Sequence, residues 1–467
     1  MRDDGLGARN RWWLVAATGL AVFTAQLDVT IVNVALPTIE HDFGIGTSLT
    51  EWVVLGYVLP LIALSLPSGR WLDRVGRREA LTLAVTGFTA AGVAAGLAPG
   101  IGWLLAARVA QGAFGAALFA LVPVLTTIAV RPEARGRAMA VVMTLGPLGA
   151  VAGPALGGLV IESLGWPWIF YLNVPVGLLV IAIAWPQLPP GPRLRLPDRA
   201  WAAETGLLGT AAVMVMLSLS LAAADGPGWF PLILAAVPFV LAWWRLPAGR
   251  PVRELLAVPG MGAPHLALLM EMAAVMTIQF LIPFHLMRGG ASPSEIGLTM
   301  LALPAGVMAA GLCGGLLSDR LGQGGLAGAG RTTVGGMCVL ILGLASFETF
   351  GYEPVPSRLA LPLVLVGVGA GLFAGPNQTM AMFLSPRHLL ATTGATTSLA
   401  RQLGVAFGPA LATVTWSLSG YRSVRPVIGV AFCLALLGLL ALLRRSPSAP
   451  EGPATSAPLP ERKEPTP

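Results

Sequence analysis

The chain has 467 residues, 55% of them hydrophobic and 11% charged, with a formal net charge of +7. A soluble chain of this length carries about twice that share of charged residues, which excludes an ordinary water-soluble globular protein. The basic residues sit in short segments between apolar runs and build no continuous face, so the positive charge does not indicate a nucleic-acid partner.

In chain order, the arginines of residues 1–11 are followed by an apolar run of about 25 residues, too long for a signal-peptide core. It reads as a first membrane-crossing helix. A crossing needs about 20 apolar residues. On that basis spans are predicted near 12–36, 49–68, 80–98, 102–129, 138–160, 166–186, 201–223, 228–245, 262–287, 295–317, 331–350, 358–384, 391–416 and 424–443. The predicted fold class is therefore an all-α integral membrane protein with 14 transmembrane helices. The 58 glycines and 39 prolines fall within apolar runs, where membrane helices tolerate both. Residues 446–467, rich in Pro, Ser and Glu, read as a disordered tail. Cys313, Cys338 and Cys433 lie in apolar runs without partner spacing and read as small packing residues, not as a disulfide or a metal site.

An even number of crossings puts both termini on one side. Of the 29 basic residues, 23 fall in segments on that side, four in the opposite loops (Arg288, Arg358, Arg422 and Arg425), and two inside spans. Both termini are therefore expected in the cytoplasm, in a multi-pass cell-membrane protein. The sequence also repeats. GRWLDRVGRR (Gly69–Arg78) is echoed by GLLSDRLGQG (Gly315–Gly324) at an offset of 246, and GAVAGPALGG (Gly149–Gly158) by GVAFGPALAT (Gly404–Thr413) at 255. Two echoes at nearly one offset imply two homologous six-helix halves, at 12–186 and 262–445. The linker 187–261 then holds two extra central helices, and 1–11 and 446–467 are cytoplasmic ends. Parallel halves of this kind place a substrate site between them near the midplane.

These residues resemble the major facilitator superfamily, in particular its fourteen-span drug:proton antiporter branch, over about residues 12–445. The resemblance rests on LDVTIVNVALP (Leu27–Pro37), WVVLGYVL in the second span, the loop GRWLDRVGRR, and LLAARVAQGAFGAAL with Arg108, Gln111 and Gly112. It rests further on the glycine-proline motif of the fifth span, on WPWIFYLNVP (Trp166–Pro175) and on ARQLGVAFGP (Ala400–Pro409). The second loop motif departs from the pattern, since it lacks the pair Arg77 and Arg78. The resemblance implies export of drug-like, lipophilic small molecules in exchange for protons. The proton gradient would be the energy source and no cofactor would be needed. The partners are then protons, the substrate and the bilayer, and a monomer is expected.

Asp28 and Arg108 are the strongest candidates for proton coupling. A charge within a span usually faces a cavity or a partner. Counting from the span ends places both at a similar depth. An aspartate that alternates between pairing with an arginine and holding a proton can couple proton flow to transport. Glu271 and Arg401 form a possible second charged set, and Glu348 reads as an interfacial carboxylate. Trp52, Tyr57, Gln111, Phe114, Gln279, Phe280, Asn377 and Gln378 could line an aromatic, mildly polar cavity. The resemblance assigns a cytoplasmic gate to Gly69, Asp73, Arg74, Gly76, Arg77 and Arg78, with Asp319 and Arg320 in the second half. Asp73 is expected to face the helix N-terminus near Ala391–Gly394. Gly149, Gly153, Pro154, Gly157 and Gly158 form the antiporter motif; Gly146, Gly149, Gly153 and Gly157 make a stripe that lets helices approach closely.

Lys463 is the only lysine, so no phosphate-cradling GxxxxGK[ST] loop exists and ATP drive is excluded. No nucleophile elbow or His/Cys metal spacing suggests an enzyme. Two rival functions remain: a dedicated exporter of one endogenous metabolite, and a transport-dead receptor on the same fold.

Overall fold

The computed structural model describes residues 10–72, 75–131, 135–191, 198–322, 326–350 and 353–444. Asp73, Arg74 and the predicted tail lie outside them. Among the described residues all regular structure is helical and no strand is formed. The first helix, α1 (Trp12–Phe43), ends at Gly44, whose φ of 60° lets its N–H turn back to the last carbonyls of the helix. This end of the bundle is called here the far end, and the end where α1 begins the near end. Five further helical positions follow: α2 and α3 (Thr47–Thr50, Trp52–Leu72), α4 (Arg77–Gly96), α5 (Ile101–Ala129), α6 (Arg135–Leu164), and α7 with α8 (Trp168–Tyr171, Asn173–Ala184).

The linker carries α9 (Arg199–Asp225), capped by the Asp198 carboxylate on Trp201 N–H at 2.8 Å, then α10 (Val237–Arg245) and the short α11 (Arg250–Leu256). The last six positions hold α12 (Gly262–Arg288), α13 with α14 (Pro293–Met300, Ala302–Gly322), α15 (Leu326–Phe350), α16 (Pro356–Leu384), α17 (Leu390–Leu418) and α18 (Arg425–Leu443).

Twelve helical segments among the described residues are long and apolar enough to cross a membrane, against the fourteen expected. The predicted spans at 138–160 and 391–416 make the difference. Their helices, α6 and α17, are 30 and 29 residues long; in α6 the apolar stretch among the described residues is Ala152–Leu164. α17 carries Thr393, Thr396 and Thr397, whose hydroxyls donate to carbonyls one turn back at 3.1, 3.0 and 2.9 Å. Such back-bonding satisfies hydroxyls inside a helix while leaving its mean hydropathy low. The three cysteines differ from expectation as well. They are free and exposed on helix surfaces rather than packed inside, as an apolar outer surface permits.

Packing follows the repeat. α6 lies on α1 and α17 lies on α12. A Cβ at Gly149 would lie 3.1 Å from Phe23 Cα, and one at Gly157 2.8 Å from Ile31. In the second half, Gly404 and Gly408 press on Met272 and Met276 of α12 in the same way. Where the halves meet, Asn33 of α1 donates to Gln279 of α12 at 3.5 Å. These two residues are 246 apart, the offset of the loop repeat. A pseudo-twofold axis requires such self-pairing of equivalent residues on the axis. At the far end Gly158 of α6 meets Gly297 of α13, a Cβ on Gly297 falling 2.9 Å from Gly158 Cα. α9 covers the side of the junction between α3 and α17, and α10 packs on α9.

Gly149→Ala is expected to destabilise the protein by about 1–3 kcal/mol, because the methyl meets backbone that cannot swing aside. Gly206→Ala on α9, with open space around its Cβ, should be neutral or slightly stabilising. Thermal unfolding of the two variants in detergent checks the contrast.

Candidate functional site

Four helices of the first half bring their polar residues to one buried point. α1 contributes Asp28, α5 Arg108 and Gln111, α8 Asn173, and α3 a backbone carbonyl. Asp28 Oδ2 meets Arg108 Nη1 at 2.6 Å, with both side chains 1% exposed or less. Asp28 Oδ1 accepts from Gln111 Nε2 at 2.8 Å and from Asn173 Nδ2 at 3.0 Å. Arg108 donates in addition to Gln111 Oε1 at 2.7 Å and to the carbonyl of Val53 at 3.0 Å. Its guanidinium lies 4.6 Å from the Tyr57 ring centroid and 5.8 Å from that of Phe170.

Small residues make room for this convergence. Gly112 and Gly115 of α5 fit against the Tyr57 backbone and its hydroxyl, and Gly92 of α4 leaves space beside Gln111 and Asn173. A buried charge is tolerated only when it is paired and its remaining hydrogen-bonding capacity is filled. Asp28 has three donors here. Arg108 has two acceptors besides Asp28, the Gln111 side chain and the Val53 carbonyl. Asn173 and the Val53 carbonyl did not stand out in the sequence. Asn173 was visible only as the polar member of WPWIFYLNVP, and a backbone acceptor has no sequence signal.

The other candidates fall in different places. Glu271 of α12 is 2% exposed, and its Oε2 has no hydrogen-bond partner. Arg401 of α17, half-buried, acts on it electrostatically. Several residues proposed for a cavity are committed to packing. Trp52 Nε1 donates to Ser220 Oγ of α9 at 2.8 Å, and Phe114 fills the space beside Gly87. Phe280 stacks on Phe284 at 5.0 Å, and Asn377 Nδ2 donates to Pro264 O at 3.1 Å. Tyr57 is fully buried beneath Arg108, Gln279 stands at the junction with Asn33, and Gln378 is half-buried on α16. Glu348 is exposed at the far end and pairs with Arg425 at 2.8 Å.

Of the gate motif, Asp73 and Arg74 and the side chain of Asp319 lie outside the described residues, so its expected contact with 391–394 does too. Gly69 lies in the last turn of α3 and Arg320, near the end of α14, is exposed. Gly76 precedes α4, which begins at Arg77. The Arg78 guanidinium sits 3.6 Å over the Trp185 ring, and the Glu79 carboxylate accepts from Gly191 N–H at 3.1 Å. In the antiporter motif, Gly149, Gly153 and Gly157 face α1, while Gly158 and the Pro154 carbonyl face α13 of the other half.

The arrangement has clear counterparts. The sequence profile of the Major Facilitator Superfamily matches residues 18–263 and again 264–466. The chain is 30% identical over 423 residues to the multidrug resistance protein Stp of Mycobacterium tuberculosis (strain H37Rv), covering 86% of this chain and 75% of Stp. It is 28% identical over 419 residues to a tetracenomycin C resistance and export protein of Streptomyces glaucescens, covering 87% and 76%. Among solved structures, a D-xylose-proton symporter superposes with a TM-score of 0.69 at 13% identity, over 94% of this chain and 98% of that one. With twin profile matches over nearly its whole length, the chain belongs to the major facilitator superfamily and is a membrane transporter rather than an enzyme.

Proposed function

We propose that the protein is a proton-coupled antiporter that exports drug-like or antibiotic small molecules across the cytoplasmic membrane by alternating access. The observation that carries this reading is the Asp28–Arg108 pair, sealed in the first half with three donors on the carboxylate. Proton uptake by Asp28 ends its pairing with Arg108. Gln111 and Val53 keep the guanidinium solvated, and the four helices they tie together can then settle in a different arrangement. Export, rather than import, is supported by the two resistance relatives and by the span-five glycine-proline motif that packs α6 on α1. The proposed topology has fourteen crossings, with α6 and α17 counted as spans. The two six-helix halves flank the α9–α10 hairpin, and both termini are cytoplasmic, so that the far end is the outer one. Substrate would enter between the halves, where Gln279 and Gln378 are the polar candidates; a lipophilic substrate suits the apolar walls.

Two measurements test this reading. Expression in a host lacking its own efflux pumps should raise resistance to at least one lipophilic antibiotic or dye, and an unchanged panel would contradict export of drugs. Cysteines at Ser163 and Arg422 should react with a membrane-impermeant thiol reagent on intact cells, and one at Arg250 should not. The reverse pattern would invert the topology.

A further inference from the structure

The far-end junction between the halves is built from two contacts that the repeat relates to each other, yet they differ in chemistry. In one, Gly158 packs on Gly297. Adding the offsets to their partners in the other half, Gly158 corresponds to Thr413 and Glu51 to Gly297. The second contact is accordingly Glu51 of the first half beside Thr413 of α17. One side of the seal is thus glycine against glycine, and the other holds a carboxyl group.

Glu51 is 0% exposed, and neither of its carboxyl oxygens has a hydrogen-bond partner. Its polar neighbours are hydroxyls alone, and none of them carries a charge. Thr413 Oγ1, beside it, spends its single hydrogen on Pro409 O at 3.0 Å. Ser220 Oγ of α9, also beside it, spends its hydrogen on Ser48 O at 3.2 Å and accepts from Trp52 Nε1 at 2.8 Å. Thr50 Oγ1 is committed to Gly46 O at 3.1 Å. A hydroxyl whose hydrogen is used elsewhere offers only lone pairs. With those hydrogens shared with backbone carbonyls, the hydroxyls offset an anion only in part, and they can accept from the O–H of a neutral carboxyl group. No formal charge compensates either. The titratable groups on the surrounding elements at this end are Glu40, His41 and Asp42 of α1, Asp225 of α9, and His285 and Arg288 of α12, with Arg288 acting on Glu40; Arg401 of α17, Glu271 of α12, and Arg199 and Glu204 of α9 lie several turns away. Arg108, paired with Asp28, reaches α3 at Val53 and Tyr57, about 200° and about 240° around the helix from Glu51.

We propose that Glu51 is a second proton-binding group of the transporter, which holds its proton while the far-end junction is closed over it and releases it when that junction opens to water. The O–H bond of the carboxyl group breaks on opening, the electron pair stays on Glu51, and water takes the proton. Closure reverses the step, because sealing an anion with no counter-ion carries a desolvation cost that two hydroxyls offset only in part. The α9 hairpin then has a role as well, since its Ser220 closes the lipid side of the carboxyl site. This inference rests on the alternating-access reading, but not on Asp28 being the coupling site.

Full-length protein in lipid nanodiscs, spin-labelled at Ser163→Cys and Arg422→Cys across the far end, tests it by distance measurement over a pH series. The unaltered protein should pass from a short to a long distance in one step as pH rises, because deprotonation favours the open junction. Glu51→Gln should stay short at every pH, since its amide donates to the same oxygens and cannot ionise; its isosteric side chain also keeps the fold. Thr413→Val should move the step to higher pH, because the carboxylate loses a hydroxyl beside it. A flat response in the unaltered protein, or a step that survives Glu51→Gln, overturns the proposal. A step lost in Asp28→Asn and kept in Glu51→Gln overturns it also and assigns the transition to Asp28. If transport proves not to be proton-driven while the Glu51-dependent step remains, the coupling reading fails and this inference stands.

Discussion

Asp28→Asn is expected to abolish proton-driven efflux while the protein still reaches the membrane. Asparagine has nearly the volume of aspartate, and its Oδ1 can go on accepting from Gln111 and Asn173, so the local packing is retained. Its amide cannot bind and release a proton. It also presents a donor to Arg108 Nη1, which lies 2.6 Å from that position in the native protein. Arg108 is left with Gln111 Oε1 and the Val53 carbonyl alone. Efflux of a fluorescent lipophilic cation from energised cells should fall to the rate seen with an uncoupler. Rates equal to those of the unaltered protein would remove Asp28 from the mechanism.

The second large effect is on stability. Arg108→Gln leaves the Asp28 carboxylate 1% exposed and without its counter-ion, and should cost about 3–5 kcal/mol. Combining it with Asp28→Asn replaces a charge-paired network by a neutral one and leaves no unpaired buried charge. The double variant should therefore recover most of the loss, giving a coupling energy at the upper part of the usual 0.5–3 kcal/mol for residues in one network, or above it. Transport should not recover. Denaturant or thermal unfolding of the four proteins closes the cycle, and additive single effects would show that the pair contributes no mutual stabilisation.

Much of this site could be read before its geometry was known. Asp28 and Arg108 are costly residues inside apolar runs, and counting rise per residue placed them at one depth. The repeat offset between loop motifs reappears as the 246-residue spacing of Asn33 and Gln279, which meet across the junction. What escaped the sequence depends on contacts between distant segments. Trp52 has the character of a cavity aromatic, but its indole is committed to Ser220, 168 residues on. Phe280 likewise stacks within the core on Phe284. Glu51 sits at the rim of a span, where a carboxylate ordinarily faces water; only the approach of α9 and α17 buries it. The low hydropathy of α17 has a similar source, because its threonines are satisfied by their own helix and gave no sign of that in the sequence.

The central claim, that substrate export is exchanged for protons, is tested most directly in proteoliposomes that carry the purified protein and a pH-sensitive dye in the lumen. With an acidic lumen imposed, a lipophilic cationic substrate should accumulate inside against its own gradient, and the lumen should become more alkaline in proportion to the substrate taken up. Both signals should vanish when the pH gradient is collapsed and in Asp28→Asn vesicles. Substrate accumulation that continues unchanged after collapse of the gradient, with no movement of protons, would contradict the account.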